Sequence, residues 1–400
     1  MAVLMPRGVL LRKLRDLVRV MPRRTRVKNK WAVTRPKFPP TQLALQQFDA
    51  TYSVQLGPLW PSVRSALLSE KKYGALLNNF SYEDVLSHLE AQGCRDFISD
   101  TEPEAQPCLE REPEGGEEME STGALLKTSG FDDSQLPPLC LSPNIRCCVF
   151  PRGNITRFKS ARPDMGGLLG YYLMDAASLL PCLALDVKED HSVLDLCAAP
   201  GGKSLALLQS QSHGFLCMND SSASRVSRLR NVLESYIPKH LLTENRLSIT
   251  CFDGITLGEN ERNSFDRVLV DVPCTTDRHS LMEDENNIFS KSRTGERRTL
   301  PQLQLELLLA GIKAACPGGQ ILYSTCTVSK IQNQTVVQRA VHLAQEHDNI
   351  HVQVVSLRRL THMFKKTFHF APDVHLGELV FPHLAANFGP IYMCKLQRLT

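Results

Sequence analysis

Two cysteines stand where a thiol could do chemistry: Cys274 in Asp271-Val272-Pro273-Cys274, and Cys326 in Ser324-Thr325-Cys326. A lone cysteine is ordinarily a small core residue. A pair of thiols beside an acid, Asp271, and a cation, Lys203, is a different matter, because a nearby cation or helix N-terminus favours the thiolate that attacks an electrophile. Lys203 closes the stretch Cys197-Ala198-Ala199-Pro200-Gly201-Gly202-Lys203. Gly201 and Gly202 let the backbone approach a ligand closely, and the helix expected next presents free N–H groups to a carboxylate or phosphate.

Acids recur downstream at Asp220, at Asp253 with Gly254, and at Asp271. Asp220 lies about 20 residues beyond the glycines, where an acid can hydrogen-bond a ribose diol; alone, it would equally cap the helix that follows. Acids after successive strands suit a ligand with a ribose, a purine amino group and a sulfonium or amine, and would repel a pyrophosphate. That pattern favours S-adenosylmethionine over a dinucleotide.

These residues need a scaffold that presents them together. Short β-rich runs at 192–197, 215–219, 247–252, 265–270, 319–324 and 391–396 alternate with helical stretches at 203–211, 222–235, 299–315 and 331–347. The alternation predicts an α/β fold with a doubly wound, mostly parallel sheet. Ligands bind at the carboxyl ends of strands in such sheets, where the unusual residues fall. Pro317-Gly318-Gly319 reads only as a turn.

The chain has 400 residues, 42% hydrophobic and 22% charged, enough for a sizeable core. No apolar run reaches the roughly 18 residues of a spanning helix, so a membrane role is not expected. The 13 cysteines form no CxxC pair and the histidines no metal site, so reduced thiols and no metal are expected.

The formal charge of +4 is unevenly spread. Residues 1–30 hold ten of the 46 Lys and Arg against one acid, Asp16, leaving 36 basic residues against 41 of the 42 acids. Leu and Val at helical spacing among those arginines read as a mitochondrial transit peptide over 1–30. A small helical region is expected over 31–99, an acidic disordered linker over 100–122, a lead-in with possible RNA contacts over 123–160, and the catalytic domain over 161–400.

CAAPGGK (197–203), DVPC (271–274) and STC (324–326), in that order and spacing, closely resemble the Nol/Nop/Sun-domain family of RNA cytosine-5 methyltransferases. The resemblance covers most of 160–400. DVPCTTDRHSL and the closing ANFGPIYMCKLQRLT are most similar to the branch acting on mitochondrial ribosomal RNA. It implies a Rossmann-like methyltransferase fold, with a mostly parallel seven-stranded sheet and a reversed final strand, binding S-adenosylmethionine. Carried over by position, Gly201, Gly202 and Lys203 line the cofactor, Asp220 takes the ribose hydroxyls with Arg225 alongside, Asp253 and Gly254 hold the adenine, and Asp271 borders the same site. The nucleophile falls on Cys326, Cys274 helps release the product, and Asp271 and Lys203 hold the target base.

Cytosine C5 is too poor a nucleophile to take a methyl group directly. A thiolate adding at C6 makes C5 enamine-like, with Asp271 expected at N3. The target base must be unpaired or extruded. Val272-Pro273-Cys274 lacks the ring that amino-methylating enzymes offer, and the additional Cys326 separates this pattern from DNA cytosine-5 enzymes, which attack with the Pro-Cys thiol. Candidate RNA contacts are Arg152, Arg157, Lys159 and Arg162, and Lys291, Arg293, Arg297 and Arg298. Aromatic content is only 6%, and apart from residues 1–30 and the acidic stretch the charges nearly balance. A helper protein delivering mitochondrial ribosomal RNA is therefore expected, and the resemblance points to a mitochondrial transcription-termination-factor-like partner in the matrix. The rival expectations are a ribosome-assembly scaffold for which methylation is dispensable, and action on transfer or messenger RNA.

Overall fold

Apolar residues at three- and four-residue spacing wind the first described segment into α1 (Pro40–Leu56) and α2 (Trp60–Leu68). The structure, a computed structural model, describes residues 38–100 and 141–400 apart from positions 82, 83, 143, 212, 244 and 373. The expected transit peptide and nearly all of the acidic stretch lie outside the described residues. Residues 40–400 form one compact unit.

The region expected to be helical also supplies strands. β1 (Gly74–Leu77), α3 (Val85–Glu90) and β2 (Arg95–Asp96) are followed, beyond the undescribed stretch, by β3 (Cys147–Val149) and β4 (Tyr171–Met174). The four strands pair antiparallel in the order β2-β3-β1-β4. β1 is buried at every position, so it shows no alternation of apolar and polar residues for a sequence reader to find.

The larger sheet begins after α4 (Leu180–Leu185) with β5 (His191–Asp195), α5 (Gly202–Gln209), β6 (His213–Asn219), α6 (Ala223–Tyr236) and β7 (Leu247–Thr250). It continues through α7 (Gly254–Asn260), β8 (Phe265–Asp271), α8 (Asp277–Met282), α9 (Thr294–Ala314) and β9 (Ala315–Thr325). Its far edge is built from α10 (Gln334–Asp348), β10 (Val352–Val355), α11 (Arg358–Phe364), β11 (Glu378–Val380) and β12 (Ile391–Arg398). The order is β10-β12-β9-β8-β5-β6-β7, with β11 added against β12. Pairing is parallel from β7 across to β9, and β12 runs antiparallel to both β9 and β10. The reversed final strand is thus present, and the sheet has eight strands rather than seven because of β11.

Chain order reverses between β5 and β8, so the loops leaving them diverge and open a cleft at their carboxyl ends. The α1 and α2 side chains Phe48, Tyr52, Trp60, Val63 and Leu67 share one buried cluster with Leu281, Phe289 and Val328, which flank the β8 and β9 loops. Each buried aromatic or large aliphatic side chain there contributes roughly 1.5–3 kcal/mol. Pro317-Gly318-Gly319 is not a turn between elements: it forms a bulge inside β9, where the pairing with β8 slips between Phe265–Ala315 and Arg267–Gln320.

Candidate active site

The loop after β5 is held from below by buried acids. Asp195 is almost fully enclosed, its Oδ2 accepts from Ser204 Oγ at 2.6 Å, and its Oδ1 has no partner among the described residues. Burial pushes its carboxyl up to about 7, against the pull of the Ser204 bond. Gly201 has φ +115°, and a Cβ there would come within 2.8 Å of Leu229 Cδ1, so glycine is required both by backbone and by the approach of α6.

Asp220, just past β6, is 2% exposed. Its Oδ1 accepts from Ser222 N at 3.0 Å, while its Oδ2 makes no hydrogen bond among the described residues and lies 3.3 Å from Arg225 Nη1. Arg225 also donates to the Ala199 carbonyl, tying the acid to the glycine loop. Asp253 is exposed and caps α7 through Ile255 N at 2.9 Å. Gly254 faces the core instead: a Cβ would sit 2.8 Å from Leu307 Cδ2, so its lack of a side chain serves packing against α9. Beside Asp253, Phe252 leaves 58% of its surface exposed, a flat apolar ring the sequence reading passed over. It also passed over Asn219, whose amide bonds Leu196 O, Phe252 O, Phe252 N and Thr250 Oγ1 and so locks three strand ends together.

On the other side of the cleft, Lys203 from α5 reaches Asp271 at the end of β8, Nζ to Oδ2 2.8 Å, and Ser324 Oγ donates to Asp271 Oδ1 at 2.6 Å. Burial alone would depress the Lys203 ammonium, but Asp271 more than offsets it and holds it above its ordinary value. Cys274 Sγ and Cys326 Sγ are 3.2 Å apart. The Cys274 sulfur accepts from Cys326 N and Thr276 N, each at 3.4 Å. Cys326 is partly exposed. Its hydrogen bond to Cys274, then burial and the charges of Cys274 and Asp271, hold its thiol well above its ordinary range, while Lys203 pulls the other way. Lys203 was expected to lower a thiol; the neighbouring sulfur, burial and Asp271 outweigh it and disfavour the Cys326 thiolate.

The structure therefore brings Lys203, Asp271, Cys274 and Cys326 together on one side, with Gly201, Gly202, Asp220 and Arg225 around the neighbouring loop. The pattern of the 16S rRNA methyltransferase RsmB/F family matches residues 182–388. The chain is 51% identical to the 5-cytosine rRNA methyltransferase NSUN4 of Xenopus tropicalis, over 98% of this chain and 99% of that one. It belongs to the RsmB/F methyltransferase family.

The NSUN4 protein of Bos taurus is 52% identical over the whole of both chains, and a Mus musculus mitochondrial tRNA (cytosine(34)-C(5))-methyltransferase is 35% identical over 89% and 90%. A solved methyltransferase homologue from Pyrococcus horikoshii superposes with TM-score 0.57 at 19% identity, over 90% of this chain and 99% of that one, which extends the likeness to the fold. As an RsmB/F member the protein is an RNA cytosine-5 methyltransferase, and S-adenosylmethionine is the family's methyl donor. The site fits that donor: Asp220 Oδ2 is a buried acceptor left open for a ribose hydroxyl, and Phe252 beside Asp253 offers a face and an acid to a purine.

The RNA candidates divide by their partners. Arg157 is paired with Glu70, Arg293 with Glu296, and Arg297 lies over the Phe289 ring. Arg152, Lys159, Arg162, Lys291 and Arg298 are exposed and make no ion pair among the described residues. His347 and His351, four residues apart, are separated by the left-handed Asn349 that ends α10, so they share no helical face. Among the described residues no group of His, Cys, Asp or Glu could hold a metal ion, and no helix is long and apolar enough to cross a membrane.

Proposed function

We propose that this chain is a mitochondrial matrix enzyme that forms 5-methylcytosine in ribosomal RNA through a transient bond between Cys326 and the base, in the course of mitochondrial ribosome assembly. The observation that carries the reading is the 3.2 Å approach of Cys274 and Cys326 beside the Lys203–Asp271 pair. Among vertebrate relatives, identity of 51–52% to two named for rRNA, against 35% to one named for tRNA, supports ribosomal RNA as the substrate.

Cys326 adds as thiolate to C6 of an extruded cytosine while its proton passes by way of Asp271 to N3, leaving C5 enamine-like; that proton leaves N3 for Asp271 once C5 has been methylated. The Lys203–Asp271 pair, steadied by Ser324, meets N3 where charge develops. S-adenosylmethionine supplies the methyl group that C5 takes; Gly201, Gly202, Asp220 and Arg225 would hold it, with Asp253 at the adenine. Cys274 then removes the C5 proton, as base or proton relay. That electron pair restores the C5=C6 double bond as the C6–S bond breaks and Cys326 leaves.

The RNA reaches the site with a partner resembling a mitochondrial transcription-termination factor. Equal affinity of the isolated enzyme and of the mixture for ribosomal RNA would count against that partner. Bisulfite mapping of organellar RNA after depletion should lose one methylcytosine in ribosomal RNA; an unchanged map overturns the enzymatic reading. Cys274→Ala should accumulate a covalent RNA adduct through Cys326, and its absence would reassign the thiols. Ribosome assembly restored in full by Cys326→Ala would make RNA binding, rather than methylation, the essential task.

A further inference from the structure

Next to the two thiols lies a buried group of side chains that the methylation scheme does not use. Asp277 opens α8 three residues after Cys274, is 0% exposed, and donates its backbone N–H to the Cys326 carbonyl at 3.2 Å. Its Oδ1 accepts from the Thr275 hydroxyl at 2.7 Å; its Oδ2 accepts from the Tyr52 hydroxyl at 2.9 Å and from Val328 N at 2.8 Å. Thr327 Oγ1 closes the ring, 2.8 Å from Thr275 Oγ1 and 3.1 Å from the Tyr52 hydroxyl. Gln332 then braces the Cys274 loop from α10's side, accepting from Thr275 N at 3.1 Å.

A buried carboxylate without a cation is a costly way to fill space, since an apolar side chain of similar volume would serve stability as well. Asp277 makes no ion pair among the described residues; its burial raises its pKa, and four hydrogen bonds draw it back. What the carboxylate provides is one rigid acceptor for donors from three separate segments: the residue after Cys274, the second residue after Cys326, and helix α1. The two catalytic loops leave neighbouring strands whose ladder ends at Asp271 and Ser324, and beyond that point the Asp277 carboxylate and backbone, with the Thr275–Thr327 bond, join them.

We propose that Asp277 is a positioning residue that sets the gap between the Cys274 and Cys326 sulfurs, and that Tyr52 makes the N-terminal helix α1 part of that support. The proposal rests on reading Cys326 as nucleophile and Cys274 as its partner. Both thiols act on one base, at adjacent ring carbons and in sequence, so an error in their spacing harms turnover without touching the cofactor loop.

The test is Asp277→Asn in the full chain. The amide keeps the volume but puts a donor in place of one acceptor oxygen: toward Val328 N a bond is lost outright, and toward Thr275 the hydroxyl must turn round to accept, which sends its proton to Thr327 and changes the ring. The expected result is a fall in kcat of about 100-fold, the scale of a ~1 Å misplacement of a reacting group, with KM for S-adenosylmethionine changed less than twofold. On unmodified RNA a larger share of the variant should also be caught as Cys326 adduct, because a displaced Cys274 releases product slowly. Tyr52→Phe removes a single donor and should reduce kcat by about five- to tenfold in the same direction.

A folded Asp277→Asn enzyme with kcat within twofold of the parent overturns the proposal, as does a loss shared equally by cofactor affinity. If Asp277→Asn does not fold, Tyr52→Phe and Thr327→Val decide: unchanged kcat in both overturns it, and a kcat loss at constant cofactor KM supports it. RNA carrying 5-fluorocytosine, which blocks proton removal at C5, separates the two readings. Failure of the parent enzyme to form its Cys326 adduct on that RNA removes the nucleophile reading and this proposal with it; a normal adduct with unaffected variants removes this proposal alone.

Discussion

The cleft has two halves whose buried polar atoms are treated oppositely. Around the cofactor loop, at the ends of β5 and β6, Asp195 Oδ1 and Asp220 Oδ2 are enclosed without a hydrogen bond. Around the thiols, at the ends of β8 and β9, the carboxylates of Asp271 and Asp277 have both oxygens occupied. The exception lies behind Pro273, where the Gln304 Oε1 is unmet although its amide nitrogen holds the Pro273 carbonyl. Asp220 Oδ2 has only the Arg225 charge at 3.3 Å, so a ligand hydroxyl can still supply the hydrogen bond it lacks. The second half meets its own hydrogen-bond demands without a ligand, which is the preorganisation that reacting groups need. In the proposed reaction the first half binds and the second reacts.

The sharpest way to break this contrast is Cys326→Ala. Methylation should fall by 10³-fold or more, a loss on the order of 4 kcal/mol or greater, while the dissociation constant for S-adenosylmethionine measured by calorimetry stays within twofold. A large loss of cofactor affinity would show that the halves are not independent.

The next effect is on stability. The Asp195 carboxyl is raised from its ordinary 3.8 to about 7, so the folded chain binds a proton that the unfolded chain has lost across that interval. Its contribution is complete below about pH 4 and disappears as pH rises to about 7, amounting to roughly 4 kcal/mol. Denaturant unfolding of the cofactor-free protein should show stability declining over that window, and Asp195→Asn should flatten the decline. An identical slope in both proteins would mean that Asp195 is not the strained acid.

The smallest of the three concerns Asp220→Asn, which should weaken cofactor binding by about 10- to 100-fold, or about 1.5–3 kcal/mol for a hydrogen bond to a charged group. The Cys326 adduct yield at saturating RNA should stay near that of the parent. A change in adduct yield as large as the change in affinity would show that the two halves do not act separately.

Much of this cleft was legible before any coordinates. Strand ends carry their chemistry in contiguous words, so CAAPGGK, DVPC and STC and the acids Asp220 and Asp253 could be picked out by type and spacing. The parallel strands of the large sheet fell where β-rich runs alternate with helical ones. β1 and β2 were missed because they are short, and in β1 fully buried, without an alternating face. Glycine after an acid at a strand end looks the same in sequence whether a ligand or a neighbouring side chain needs the space, and at Gly254 the structure adds the packing reason, Leu307. Nothing in the sequence joined Tyr52, Asp277 and Thr327: Asp277 sits within DVPCTTDRHSL and Thr327 follows Cys326, but their meeting with each other and with Tyr52 spans distant segments.

What the amino-acid order determined alone was local: which residues could react, which strand each terminated, and the alternation that makes a doubly wound sheet. Side-chain chemistry and backbone periodicity act over a few residues, so a reader of the chain can recover them. Only the tertiary structure decided that two thiols 52 residues apart come within 3.2 Å, that Lys203 is neutralised by Asp271 instead of activating Cys326, and that a helix near the N-terminus braces both loops through one carboxylate. Distances and fields between distant segments follow from packing and burial, and no stretch of sequence contains them.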